Sequence, residues 1–115
     1  MRFDRGARTD ERQRRAIQGL RPWLVPTATK TAAYTARYGE LVIANPTVAG
    51  FTITAPRAED HAGEVFAVKN ASASTNAITI DAQGAELIDG AGSVTITTAR
   101  ESLTFVSDGG DWVIV

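Results

Sequence analysis

The sequence predicts an all-β fold, an antiparallel β-sandwich or barrel-like domain behind an N-terminal arm, and three observations carry that prediction. From residue 31 onward, large apolar side chains recur at every second position. Turn-forming residues interrupt this alternation at short, even intervals. The first 25 residues differ from the rest in both charge and pattern.

Alternation is the sign of strands with one buried and one solvated face. Leu41 and Ile43 flank Val42, and Phe51 and Ile53 alternate with Thr52 and Thr54. Phe66 and Val68, Ile78 and Ile80, Val94 and Ile96, Leu103 and Phe105, and Trp112 and Ile114 continue the scheme. The breaks are Asn45-Pro46, Ala55-Pro56, Gly63, Asn70 to Ser74, Gln83-Gly84, Asp89-Gly90 and Asp108-Gly109-Gly110, each with residues that form turns. About eight short strands at this spacing favour a sandwich or barrel. The longest polar loop is Pro56 to Gly63.

The arm reads differently. Asp10 with Gln13 resembles a capping box, and Ile17, Leu20 and Leu24 follow at helical spacing. A short helix over about residues 9–20 is expected, stopped before Pro22. Such a helix is too short to hold alone in water and needs a surface to lie against. The connector Pro22 to Thr29 contains Trp23, Leu24 and Val25, apolar for a free linker. They either cover an edge of their own β domain or dock on a neighbouring subunit. The division is therefore an arm and connector over 1–29 and a β domain over 30–115.

The net charge of −1 over 115 residues conceals a segregation. Residues 1–25 hold seven arginines (Arg2, Arg5, Arg8, Arg12, Arg14, Arg15 and Arg21) against three acids, so this part carries +4. The remaining 90 residues carry five basic and ten acidic side chains, or −5. A basic arm on an acidic body implies a partner for the arm. Phosphates would suit the arginines, but no base-stacking aromatics alternate with them and no DNA-binding spacing appears. A protein partner is favoured over nucleic acid.

Chemistry-bearing residues are scattered. His61, the one histidine, sits beside Glu59, Asp60 and Glu64 and reads as part of a solvated loop, because no further ligands accompany it. Asp81, Glu86, Asp89, Asp108 and Asp111 surround the C-terminal turns and read as turn formers without the EF-hand pattern. No Gly-x-Ser-x-Gly elbow surrounds any serine, and no glycine loop suits a phosphate. Trp112 reads as core, and Tyr34 and Tyr38 as cross-strand packing, with a sugar-stacking platform as the alternative. There is no cysteine, hence no disulfide or thiolate site. No apolar run is long enough to span a bilayer, and the charged N-terminus lacks the apolar stretch of a secretory signal. The expectation is a non-enzymatic protein without metal or cofactor. Its core of about a dozen large side chains is thin for the length, which favours an oligomer.

The segments Ile78 to Asp81, Glu86 to Gly90, Val94 to Thr97, Glu101 to Gly109 and Trp112 resemble a β module of tailed bacteriophages, found in tail-fibre, head-fibre and capsid-decoration proteins. Ala33 to Thr35, Glu40 to Ile43, Phe51 to Thr54 and Phe66 to Asn70 fit the same module, so the likeness covers residues 30–115 and leaves the arm outside. It implies a virion structural protein on the particle surface, a homotrimer attached to a capsid or other virion protein by its N-terminal segment. The partner-binding residues would be the seven arginines with Ile17, Leu20, Trp23 and Leu24. The chain has no coiled coil and no Gly-X-Y run, so a capsid-decorating or short head-spike protein suits it better than a long tail fibre. A tail-associated receptor- or glycan-binding module is the alternative.

Overall fold

The computed structural model describes residues 24–115. Among these are nine strands and no helix: β1 (Val25–Pro26), β2 (Tyr34–Thr35), β3 (Glu40–Ala44), β4 (Phe51–Thr54), β5 (Val65–Asn70), β6 (Ile78–Asp81), β7 (Ser93–Ile96), β8 (Ser102–Ser107) and β9 (Trp112–Ile114). The expected arm helix over residues 9–20 lies outside the described residues. The strands form two sheets, one ordered β1-β3-β5-β8-β9 and the other β2-β4-β6-β7. The fold is all-β and sandwich-like, as the alternation predicts.

The antiparallel expectation needs correction. β1 and β3, β3 and β5, β2 and β4, and β4 and β6 are all parallel pairs. Only the last strands are antiparallel, in the pairs β5–β8, β6–β7 and β8–β9. Both sheets are therefore mixed. The cause lies in the connections. From β1 to β6 each strand crosses to the opposite sheet and not back along its neighbour. Parallel neighbours need a crossover between them, and here that crossover is a strand of the facing sheet. The chain winds as a coil through β6, and β7 to β9 close it.

Register turns this winding into stacked rows. Val42, Val68 and Leu103 stand side by side across β3, β5 and β8. Phe51, Ile78 and Ile96, and beside them Ile53, Ile80 and Val94, line up on the facing sheet. Between the sheets Val42, Phe66, Val68, Ile53, Ile78, Ile80, Ile96, Phe105 and Trp112 are fully buried. Phe66 stacks on Phe105 with centroids 4.6 Å apart and meets Trp112 edge-on at 4.8 Å. Such offset and edge contacts are the favoured aromatic geometries. Trp112 is core, as expected, and its Nε1 donates to the Pro56 carbonyl at 2.9 Å.

The two outer faces differ, which the sequence pattern did not separate. On the four-stranded sheet Thr52, Thr79 and Thr95 form one outward row, and Thr54, Asp81 and Ser93 another. The five-stranded sheet presents Leu41, Ile43, Val65, Ala67, Val106 and Val113 outward, with Lys69, Ser102 and Thr104 among them. β3 is thus apolar on both faces, with Val42 and Ala44 inside and Leu41 and Ile43 outside.

Both ends of the sandwich are pinned by buried polar side chains. At one end Asn70, fully buried, accepts from Ser72 N at 3.0 Å and Ser72 Oγ at 2.8 Å. Its Nδ2 donates to the carbonyls of Ser74 at 2.9 Å and Thr98 at 3.2 Å. The opposite end is held by Glu86. Turn chemistry follows the sequence closely at Asp89-Gly90, where φ is 47° and 83°. Ile88 and Ala91 exchange both backbone bonds around it, as the mirror-image hairpin turn requires.

Candidate functional site

The longest polar loop, Pro56 to Gly63, is bonded by the side chains of Tyr38, Glu86, Ser107 and Trp112, all distant from it in sequence. Gln83 Nε2 donates to the Ala55 carbonyl at 3.0 Å, Trp112 Nε1 to that of Pro56, and Tyr38 Oη to that of Arg57 at 2.6 Å. Ser107 Oγ donates to the Ala58 carbonyl at 2.7 Å. From the other side Glu86 accepts from Ala58 N at 2.8 Å and from Glu59 N at 3.0 Å. A run of consecutive backbone groups is thereby satisfied by long-range side chains, as buried polar groups require. The loop caps the core, since its Ala58 and the preceding Ala55 are fully buried.

Glu86 is the centre of this arrangement. It is 8 % exposed, and Arg57 Nε donates to its Oε2 at 3.0 Å. Burial pushes the carboxyl up, and the N–H groups of Ala58 and Glu59 with the Arg57 guanidinium outweigh that push and hold it below its ordinary value. The same contact raises the Arg57 guanidinium. Arg57 Nη2 also reaches Glu59 Oε1 at 2.7 Å, a pair in water that contributes little. Glu86 therefore is not one of the turn-forming acids. The turn reading holds for Asp108, whose Oδ1 accepts from Asp111 N at 2.8 Å and Gly110 N at 3.0 Å, which keeps it below the usual carboxylate range. Asp111 Oδ1 accepts from Leu87 N at 2.9 Å and Asp89 Oδ1 from Ile114 N at 3.1 Å.

Beside the loop lies an open cleft of about 460 Å³ lined by Arg57, Glu59, Asp60, Glu86, Asp111 and the glycines 109 and 110. Asp60 holds a left-handed backbone with φ 63° and donates its N–H to the Gly109 carbonyl at 3.2 Å. No group of three or more His, Asp or Glu side chains among the described residues is placed to hold a metal ion. Electrostatically the cleft is acid-lined, and its one cation, Arg57, is engaged by Glu86 and Glu59.

The aromatic residues weighed for sugar stacking are tied down separately. Tyr34 Oη donates to the Glu40 carboxylate at 2.9 Å, with Lys30 Nζ 4.2 Å from its ring centroid. Desolvation first, then the Glu40 contact, raises its hydroxyl. Tyr38 stacks on His61 with centroids 4.5 Å apart. His61 Nδ1 lies 2.7 Å from the Glu59 carbonyl, which only accepts, so that nitrogen carries the proton. Both rings pack against their own domain.

Of the arm residues singled out by charge and spacing, Arg2, Arg5, Arg8, Arg12, Arg14, Arg15, Ile17, Leu20, Arg21 and Trp23 lie outside the described residues. Leu24 is half-buried and leads directly into β1. The connector thus ends in an edge strand: Val25 N donates to Gly39 O at 2.8 Å and Thr27 N to Leu41 O at 3.0 Å. What sequence reasoning missed is the set Arg57, Gln83, Glu86 and Ser107. Their partners stand 27 to 49 positions away, so no local pattern reports them. The only local sign is a charged Glu86 opening the apolar pair Leu87-Ile88.

No protein-family model matches the chain, and no curated protein matches it.

Proposed function

We propose that this chain is a non-enzymatic structural protein of a tailed-bacteriophage particle, a small homotrimeric capsid-decorating or short head-spike protein. The observation that carries the reading is the join between a +4 segment over residues 1–25 and a −5 body. The body is a β module with no helix among its described residues, and the chain enters it through the edge strand β1. The likeness of residues 30–115 to phage fibre and decoration modules supplies the trimer and the place, the particle surface.

On this reading the arm works by charged hydrogen bonds from its arginines to an acidic protein shell. Three arms on one trimer convert weak single contacts into firm attachment, because the second and third bind at high effective concentration. The full chain should have the mass of three copies by size-exclusion chromatography with light scattering. A clean monomer would remove the avidity on which attachment depends. Deleting residues 1–22 should abolish attachment to particles, and unchanged attachment would end the anchoring role. A mobility shift with nucleic acid that disappears at moderate salt would move the arm's partner from protein to phosphate backbone.

A receptor- or glycan-binding module is the second reading, and the acid-lined cleft beside Asp60 is the observation in its favour. Saturable binding on a glycan array, lost in Glu59→Gln and Asp60→Asn, would establish it.

A further inference from the structure

Among the described residues the two sheets have four rims, and three of these are short or closed. β1 and β2 are two residues long. β9 is covered along its outer side: Trp112 N donates to the Leu87 carbonyl at 2.9 Å, Asp89 N to the Trp112 carbonyl at 3.0 Å, and Ile114 N to Asp89 Oδ1 at 3.1 Å. The fourth rim, β7, is different. Ala82 N donates to the Gly92 carbonyl at 3.0 Å, which fixes the phase of the ladder, so Val94 and Ile96 turn their N–H and C=O groups to β6. Ser93, Thr95 and Thr97 turn theirs away, and none of those groups bonds to another described residue. All three residues are exposed. Between Gly92 and Thr98 there is neither a charge nor a proline, the usual guards of such a border.

We propose that the β7 rim is a contact surface for β7 of a second copy of this chain, paired antiparallel about a two-fold axis at Thr95. The strand's existing partner argues for this occupant. On its inner side β7 pairs with Ile78-Thr79-Ile80, with Ile78 against Ile96, Thr79 against Thr95 and Ile80 against Val94. A second β7 presents Val94-Thr95-Ile96 in the same direction as β6, so it repeats that pairing almost residue for residue. Val94 then faces the second copy's Ile96, Thr95 its own counterpart, and Ser93 the second copy's Thr97.

In this register Ser93, Thr95 and Thr97 exchange backbone bonds across the axis, which satisfies the unpaired groups of the rim. Val94 and Ile96 pack on the core side, so apolar side chains of the two copies meet there and hydroxyls meet on the outer face. Both are pairings that sheets favour, and no like charges are opposed. The contact joins the two four-stranded sheets into one and is closed, since each rim uses up the other. It is also small. The four residues of β7 span about 13 Å, whereas a stable pair of separate chains buries about 800 Å² on each side. The pairing is therefore weak in dilute solution and forms as the chain is concentrated. It does not rest on the virion reading, and within trimers it would link one trimer to the next.

The chain has no cysteine, so single substitutions report the pairing. Opposed residues that exchange both backbone bonds have Cα atoms about 5.5 Å apart, within reach of a disulfide. Concentrated Thr95→Cys under mild oxidation should give a covalent dimer on a non-reducing gel. Ser93→Cys and Thr97→Cys should each give none alone, because each site lies about 13 Å from its counterpart along the strand. Mixed together, the two should cross-link. Adding Thr95→Lys to both should remove the mixed product, since two ammonium groups would meet at the axis. Sedimentation equilibrium adds a readout without cysteine: the average mass should rise with concentration in the wild type and stay constant in Thr95→Lys. Thr35→Cys, exposed on the β2 rim, is the control. No dimer from Thr95→Cys, an equal yield from Thr35→Cys, or a mixed product that survives Thr95→Lys would overturn the proposal. A dimer that forms only once residues 1–22 are deleted would give the rim to the chain's own arm and overturn it as well.

Discussion

Glu86 shows how one side chain sets the geometry of a whole loop. Its carboxylate accepts from two consecutive backbone N–H groups and a guanidinium. Glu86→Gln keeps one acceptor oxygen but turns an amide toward the donors, leaving one of them unpaired. The expected loss is about 1–3 kcal/mol in urea denaturation at pH 7. The pH dependence follows from the depressed carboxyl. Its stabilisation is complete above the unfolded-state value of about 4.3 and is lost as pH falls through the lower folded-state value. Wild-type stability should therefore decline on acidification below about pH 4.5, and Glu86→Gln should show a shallower decline. Equal slopes in the two proteins would remove Glu86 from the acid response. At the other end Asn70→Ala would strand Ser72 N and the Ser74 and Thr98 carbonyls, at a cost of roughly 2–4 kcal/mol.

At the scale of elements, the four-stranded sheet offers a paired test. Ile78 is fully buried and its neighbour Thr79 faces outward. Ile78→Ala should cost about 2–5 kcal/mol, and Thr79→Lys should stay within about 0.5 kcal/mol, both read by thermal or urea denaturation. Gly50 guards the start of β4. A Cβ there would run into the Ala77 carbonyl oxygen, which is backbone and already accepts from Phe51 N at 3.1 Å. Gly50→Ala should therefore destabilise by about 1–3 kcal/mol, and an unchanged midpoint would show that β6 can move aside. These elements also show how far the sequence could be read. Strands with strict alternation, such as Phe51 to Thr54 and Ile78 to Asp81, fall where the pattern puts them. So does the Asp89-Gly90 turn, because φ is a local property. Strand direction did not follow, since alternation is the same in parallel and antiparallel pairs. β1 was read as connector because two residues including a proline carry no alternation. The loop-pinning residues were invisible for a related reason: each bond joins positions that only the crossings between sheets bring together.

The whole molecule has two unlike outer faces and two pinned ends, and this asymmetry governs what it can bind. Its five-stranded sheet is richer in apolar side chains on the outside, its four-stranded sheet in hydroxyls, and its acid-lined cleft opens at the end of the sandwich where β1 begins. A surface arranged in this way suits a part that is placed once and held. The coil from β1 to β6 also makes the pairings non-local, with β3 meeting β5 across the whole of β4. Such topologies fold slowly for their size. Refolding after dilution from urea should take milliseconds to seconds, and a microsecond phase carrying the full amplitude would contradict the winding order.

Pro26 gives that winding a further meaning. In β1 the N–H groups of Val25 and Thr27 point to β3, so the N–H that proline lacks would have pointed away from the sheet. Among the described residues β1 is the rim of the five-stranded sheet, and that rim thus misses a donor where another chain could zip on. This is a built-in brake on fibre growth, of the kind natural sheets use at unprotected borders.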